Sequence, residues 1–145
     1  MKKIITIFFG VILVASFVLS SCSGTIKGSN TVGDWYHETS RNMGGYQITA
    51  KTKLTIIRNG PGDYEYRLAT TIIDAMSGGQ PRTEHSRGRF ETNIRDNKWR
   101  FQGGDFGSRG GYIAVPKDNW DDYRPSTITV HFASGRGDSM TFRRN

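Results

Sequence analysis

The sequence predicts an all-β domain: an antiparallel meander of about eight strands, closed as a small barrel or packed as a sandwich. Three observations carry this. Apolar and polar residues alternate with period two through most of the chain after Gly33. Clusters of Gly, Pro, Asn and Asp interrupt the alternation at the spacing of an antiparallel sandwich or barrel. No stretch there of ten or more residues has a helical period. One polar face per strand suits a sheet that covers one core and meets water outside. Closure removes exposed edges, which favours the barrel.

The first segment stands apart. Lys2 and Lys3 precede an almost wholly apolar run, Ile4 to Leu19, which is the length of a signal-peptide core and short for a membrane span. It ends in Leu19-Ser20-Ser21-Cys22, with the only cysteine of the chain. This resembles the lipobox of bacterial lipoproteins. The resemblance implies cleavage after a signal peptide of residues 1–21 and lipidation of Cys22. An uncleaved anchor with an incidental cysteine is the alternative. Ser23, where an Asp would signal inner-membrane retention, points by resemblance to lipoprotein sorting to an outer-membrane address. The domain then faces the periplasm or the cell surface. Two or three acyl chains hold a protein stably, and no later segment is long and apolar enough to span a bilayer. With Cys22 lipidated, no thiol is left for a disulfide. Residues 22–32, small and polar after the cysteine, read as a lipidated flexible tether, and 33–145 as the β domain.

The strands follow in order. Ile48, Ala50, Thr52, Leu54 and Ile56 share one face of a strand that ends in the turn Asn59 to Asp63. Tyr64, Tyr66, Leu68, Thr70 and Ile72 share a face of the next; Ile72 to Met76 allows at most a turn. After Ser77 to Pro81, residues Gly88, Phe90, Thr92 and Ile94 alternate with Arg87, Arg89, Glu91 and Asn93. Asp96-Asn97 turns the chain into Lys98 to Gln102, a hairpin. Gly103 to Gly111 holds five glycines in nine residues and reads as a bulged or wide loop. Tyr112 to Val115, Thr127 to Phe132 and Ser139 to Arg143 are the remaining strands, with Ile128, Val130, Phe132, Met140 and Phe142 inward. Pro116 to Pro125 is a polar loop carrying Trp120 and Tyr123.

Composition narrows the function classes. Without residues 1–21 the chain has 124 residues, one domain's worth, and 18 basic against 13 acidic side chains, a net charge of +5. Thirteen of the 18 are arginines, which suit bidentate contacts to carboxylate and phosphate. An envelope address disfavours nucleic acid and leaves lipid phosphates, acidic polysaccharide or acidic protein as partners. A basic surface that only keeps the domain soluble is the plain alternative.

Gly33-Asp34-Trp35 stands just before the first strand. Gly-x-Trp there resembles the opening of lipocalin-like and other calycin domains, in which the Trp closes one end of the barrel and a later arginine packs on it. Arg143 and Arg144 are the candidates by position. The resemblance makes Gly33 and Trp35 fold-motif residues and implies a barrel that binds a small apolar ligand.

Little points to catalysis. His37, His85 and His131 lie in separate segments without ligand spacing; His37 and His85 read as strand-edge residues and His131 as outward-facing. No Gly-x-Ser-x-Gly elbow occurs. Asp118, Asp121 and Asp122 lack calcium-loop spacing, and Arg136-Gly137-Asp138, an adhesion tripeptide by composition, is also ordinary turn chemistry. The glycine-rich stretch lacks the Gly-Lys-Ser/Thr ending of a phosphate loop. No enzyme, metal or cofactor is expected, and a hydrolase is the distant alternative. Tyr64, Tyr66, Trp99, Phe101, Trp120 and Tyr123 are the candidate ligand-binding aromatics, with core packing as the competing role. Two functions remain. One is a monomeric lipoprotein that holds a small apolar or amphipathic ligand in its barrel. The other is an envelope interaction protein with a filled barrel, whose arginine-rich face binds an acidic partner. An empty interior favours the first, a filled one with clustered cations the second.

Overall fold

A computed structural model describes residues 28–92, 96–116, 123–133 and 138–145. Eight antiparallel strands close into a barrel in simple sequence order: β1 (Gly33–Met43), β2 (Tyr46–Gly60), β3 (Asp63–Asp74), β4 (Pro81–Glu91), β5 (Lys98–Gln102), β6 (Tyr112–Ala114), β7 (Thr127–His131) and β8 (Ser139–Arg143). The predicted meander and closure are therefore present. The first four strands run 11 to 15 residues, the last four only 3 to 5. This inequality shapes the molecule. β5 pairs with β4 only at Arg89 to Glu91, and β8 with β1 at Tyr36. Residues 38–43 and 81–85 thus reach past the closed barrel as the outer strands of a projecting four-stranded sheet. Charged Glu38, Arg41, Arg82 and Glu84 and the donor-less Pro81 sit along its two edges, the features that discourage edge-to-edge pairing.

The period-two pattern sets the core. Trp35, Leu54 and Leu68 lie in register across β1, β2 and β3 and point inward. Among the described residues sixteen apolar side chains are buried, and nine are aromatic, enough volume to fill a small barrel with the protein's own rings. The β1–β8 seam is thin in backbone pairing but reinforced by side chains. His37 Nδ1 donates to the Thr141 carbonyl at 2.8 Å, which places the ring proton on Nδ1.

The lower end is closed by a 3-10 turn, Ser29–Thr31. Thr31 is buried, its hydroxyl donates to the Gly28 carbonyl at 2.6 Å, and Trp35 Nε1 donates to the Thr31 carbonyl at 2.8 Å. Residues 28–32, expected in a flexible tether, thus belong to the folded domain. Of the two candidate arginines, Arg144 packs on the tryptophan. Its guanidinium lies 4.4 Å from the Trp35 ring centroid and donates to the carbonyls of Asn30 (2.7 Å) and Val32 (3.0 Å). Arg143 is exposed on the outer face, because Phe142 takes the inward position of β8.

Two elements differ from expectation. β1 begins at Gly33, so Trp35 lies within the first strand and not before it. The glycine-rich stretch is not a wide loop: Gly104–Ser108 forms a short helix, α1, that delivers Phe106 into the upper end of the barrel. The Phe106 ring meets Tyr66 (5.8 Å, stacked), Phe101 (5.2 Å), Phe132 (5.4 Å) and Phe142 (6.0 Å). The plug docks closely because its contact points lack side chains. A Cβ on Gly88 would lie 2.1 Å from the Gln102 carbonyl oxygen, and one on Gly107 would lie 2.5 Å from the Gln102 carbonyl carbon. The Tyr66 hydroxyl donates to the Gly103 carbonyl, and Asp105 N donates to Ser86 Oγ at 2.8 Å.

Candidate functional site

Four of the six candidate ligand-binding aromatics, Tyr64, Tyr66, Trp99 and Phe101, are 0–3% exposed. Their rings pack on one another through Phe90, with Phe90–Phe101 centroids at 4.9 Å and Tyr66–Phe101 at 5.1 Å. Their edge-to-face and offset geometries are those of a packed aromatic core. Tyr123 closes the lower end, half-buried and edge-on to Trp99 at 5.6 Å. Trp99 Nε1 is buried without a hydrogen-bond partner among the described residues. Trp120, like Cys22, Asp118, Asp121, Asp122, Arg136 and Gly137, lies outside the described residues. Of the histidines, His131 is outward and stacks on Tyr112 at 5.3 Å, His85 sits on the open edge of β4, and His37 faces inward at the β1–β8 seam. Among the described residues no His, Cys, Asp and Glu converge as a metal-binding group, and no helix is long and apolar enough to cross a membrane.

The buried phenols predict an alkaline response. Burial pushes the Tyr64, Tyr66 and Tyr123 hydroxyls above their ordinary value; hydrogen bonds from the Gly107 and Phe106 backbone oppose this at Tyr66. The fold therefore favours the neutral phenol. The resulting stability is present below the unfolded value of about 10 and is lost as pH rises through the folded values. Tyrosinate absorbance of these residues is expected to appear together with loss of the β circular-dichroism signal. Their ionisation in a still-folded barrel would contradict the packing.

Open space lies instead on the outer face of the long strands. Register places residues far apart in sequence in rows across the sheet. Arg143, Tyr36, Lys53, Ala69 and His85 form one row over β8-β1-β2-β3-β4, and Asp34, Thr55, Arg67 and Arg87 the next over β1 to β4. Short Ala69, Thr55 and Thr71 stand between long side chains, so the face is furrowed. Three hollows of about 830, 570 and 470 Å³ result. The first two share Lys53 and Ala69, and the second and third share Arg87, making one groove. Six Lys or Arg line it (Lys51, Lys53, Arg67, Arg87, Arg89, Arg143) against three acidic side chains (Glu38, Asp63, Glu65).

Ion pairs organise the groove. Lys53 Nζ meets Asp34 at 2.8 Å, and Thr55 Oγ1 donates to the same carboxylate at 2.7 Å. Lys53 and Thr55 hold Asp34 below the usual carboxylate range, and Asp34 in turn raises Lys53. Arg67 Nε donates to Glu65 at 2.7 Å and likewise holds its carboxyl below the usual carboxylate range. Lys53 also lies 5.7 Å from the Tyr36 ring, which is 37% exposed. Nothing in any single segment signals this groove; only the strand register assembles it. Compared with protein-family profiles, curated proteins and solved structures, the chain matches none.

Proposed function

We propose that this protein is an outer-membrane lipoprotein, held by lipid on Cys22, whose lipocalin-like barrel is filled and whose outer groove binds an acidic partner of the cell envelope. The observation that carries the reading is the division of space. Aromatic rings occupy the interior where a small apolar ligand would sit, and the connected hollows lie outside under twice as many basic as acidic side chains. The Gly33-x-Trp35 opening with Arg144 stacked on the tryptophan supports the calycin-type likeness. The signal-like run ending in Leu-Ser-Ser-Cys supports the anchor. Electrostatic complementarity of this kind speeds encounter and selects partners, and it weakens with salt.

The test is elution of the full-length chain, in detergent, from an immobilised sulfated polysaccharide. Double reversal of Lys51 and Arg143 to Glu is expected to lower the eluting salt concentration well below that of an equal reversal at Lys98 and Arg100, which lie on β5. Equal loss from both reversals would reduce the binding to net charge and sink the groove.

A further inference from the structure

The middle of the groove holds an arrangement that a merely soluble surface would avoid. Arg67 on β3 and Arg87 on β4 are directly opposed in register and share the outer face. Opposed residues in an antiparallel pair have Cβ atoms about 4.5–5.5 Å apart, and like charges there destabilise the sheet. Lys53 and His85 flank them one row away, on either side of Ala69. All four line the 570 Å³ hollow with Thr55, Leu68, Ala69 and Ser86, and no carboxylate lines it. The nearby carboxylates are taken up in part: Asp34 pairs with Lys53, and Glu65 accepts from Arg67 through Nε. The terminal nitrogens of Arg67 are outside that bond, and Arg87 has no ion pair within 4.0 Å among the described residues.

We infer that this hollow is a phosphate site, with Arg67 and Arg87 as its two forks and Lys53 at its rim. The inference rests on the outer groove being the binding face and names the group bound there. Two guanidinium groups lining one hollow offer more donors than the two oxygens of a carboxylate accept in plane. A tetrahedral oxyanion presents three free oxygens and up to two negative charges, so it bridges both forks and cancels their mutual repulsion. Ala69 and Thr55 leave the floor low enough for such a group. A phosphomonoester reaches the site from a lipid headgroup or from a phosphorylated sugar; the chemistry is the same.

The test uses the full-length chain in uncharged detergent, with the arginine side-chain NH resonances followed by NMR during titration with inorganic phosphate. Saturable shifts at Arg67 and Arg87 are expected. Arg87→Gln and, separately, Arg67→Gln are each expected to weaken binding at least tenfold, while Arg41→Gln at the far end of β1 leaves it unchanged. All three positions are exposed, so equal melting temperatures check that the variants fold. Displacement of bound phosphate by phosphatidic acid doped into the detergent micelles, but not by glucose 6-phosphate, assigns the site to a headgroup, and the reverse assigns it to a sugar phosphate. Absence of saturable shifts, or equal weakening by all three variants, overturns the phosphate site. If polyanion retention still depends on Lys51 and Arg143 in that event, the groove stands and only the phosphate assignment falls; if both are lost, both readings fall.

Discussion

Replacing Phe106 by alanine is expected to cost about 3–5 kcal/mol of folding stability, measured by urea unfolding with an unchanged slope. The ring is 2% exposed and joins β3, β5, β8 and the segment after β7 through four aromatic contacts. Its removal opens a cavity at the end of the barrel where the strands are shortest and backbone pairing is thinnest. The surrounding rings cannot collapse freely, because Tyr66 is fixed by its bond to the Gly103 carbonyl. A domain of this size is stabilised by about 5–15 kcal/mol in all, so the loss is a large share. The same variant gives a second readout. If the emptied space admits an apolar dye that the wild type excludes, the plug is what keeps the interior closed. A loss under about 1 kcal/mol would mean that α1 is not part of the cooperative core.

Trp35→Ala is expected to be at least as damaging, again about 3–5 kcal/mol from packing alone. The indole carries two further duties. Its Nε1 holds the Thr31 carbonyl, and its face receives Arg144, whose guanidinium holds the carbonyls on either side of that threonine. Ring, arginine and turn therefore form one unit, and their energies are not additive. Arg144→Met alone is expected to cost about 1–3 kcal/mol, from hydrogen bonds to a charged donor and the cation–π contact. In the Trp35→Ala background the same change is expected to cost much less. Full additivity in this double-mutant cycle would show that arginine and tryptophan act independently.

The sequence made some of this legible and concealed the rest for definite reasons. Ile48 to Ile56 and Ile128 to Phe142 alternate because one face of each strand meets the core, and their inward residues were readable. β1 was not readable beyond Trp35. The stretch Tyr36-His37-Glu38-Thr39-Ser40-Arg41-Asn42 has no apolar face because most of it lies past the closed barrel, where water reaches both sides of the sheet. α1 is five residues long and two of them are glycine, so it has neither length nor propensity to declare itself. Docking of Phe106 makes it a helix. The aromatics Tyr64 and Tyr66, and Trp99 and Phe101, were readable as sharing strand faces, but inward residues of a small barrel either line a cavity or fill it, and only their mutual packing distinguishes the two. The groove was hidden most completely. Arg67 and Arg87 become neighbours through the β3–β4 register, and the parity of β8 alone sends Arg143 to the groove and leaves Arg144 for the tryptophan.

The closed lower end also sets a direction. Gly28 lies under the barrel against Thr92 and Tyr64, so the chain enters there. On the proposed lipid anchor at Cys22, the six steps from Cys22 to Gly28 would reach about 20 Å at most. β1 then climbs away from the entry point, and its eleven residues carry the Gly44-Gly45 hairpin about 35 Å further out. On that anchor the projecting sheet would stand off the surface like a mast, with Met43 and Tyr46, 59% and 49% exposed, at its head. Rows that cross the strands, among them the Arg67–Arg87 row, would then run broadly along the membrane plane. A long polymer lying flat over the surface would meet the groove lengthwise, whereas one arriving end-on would meet only the hairpin.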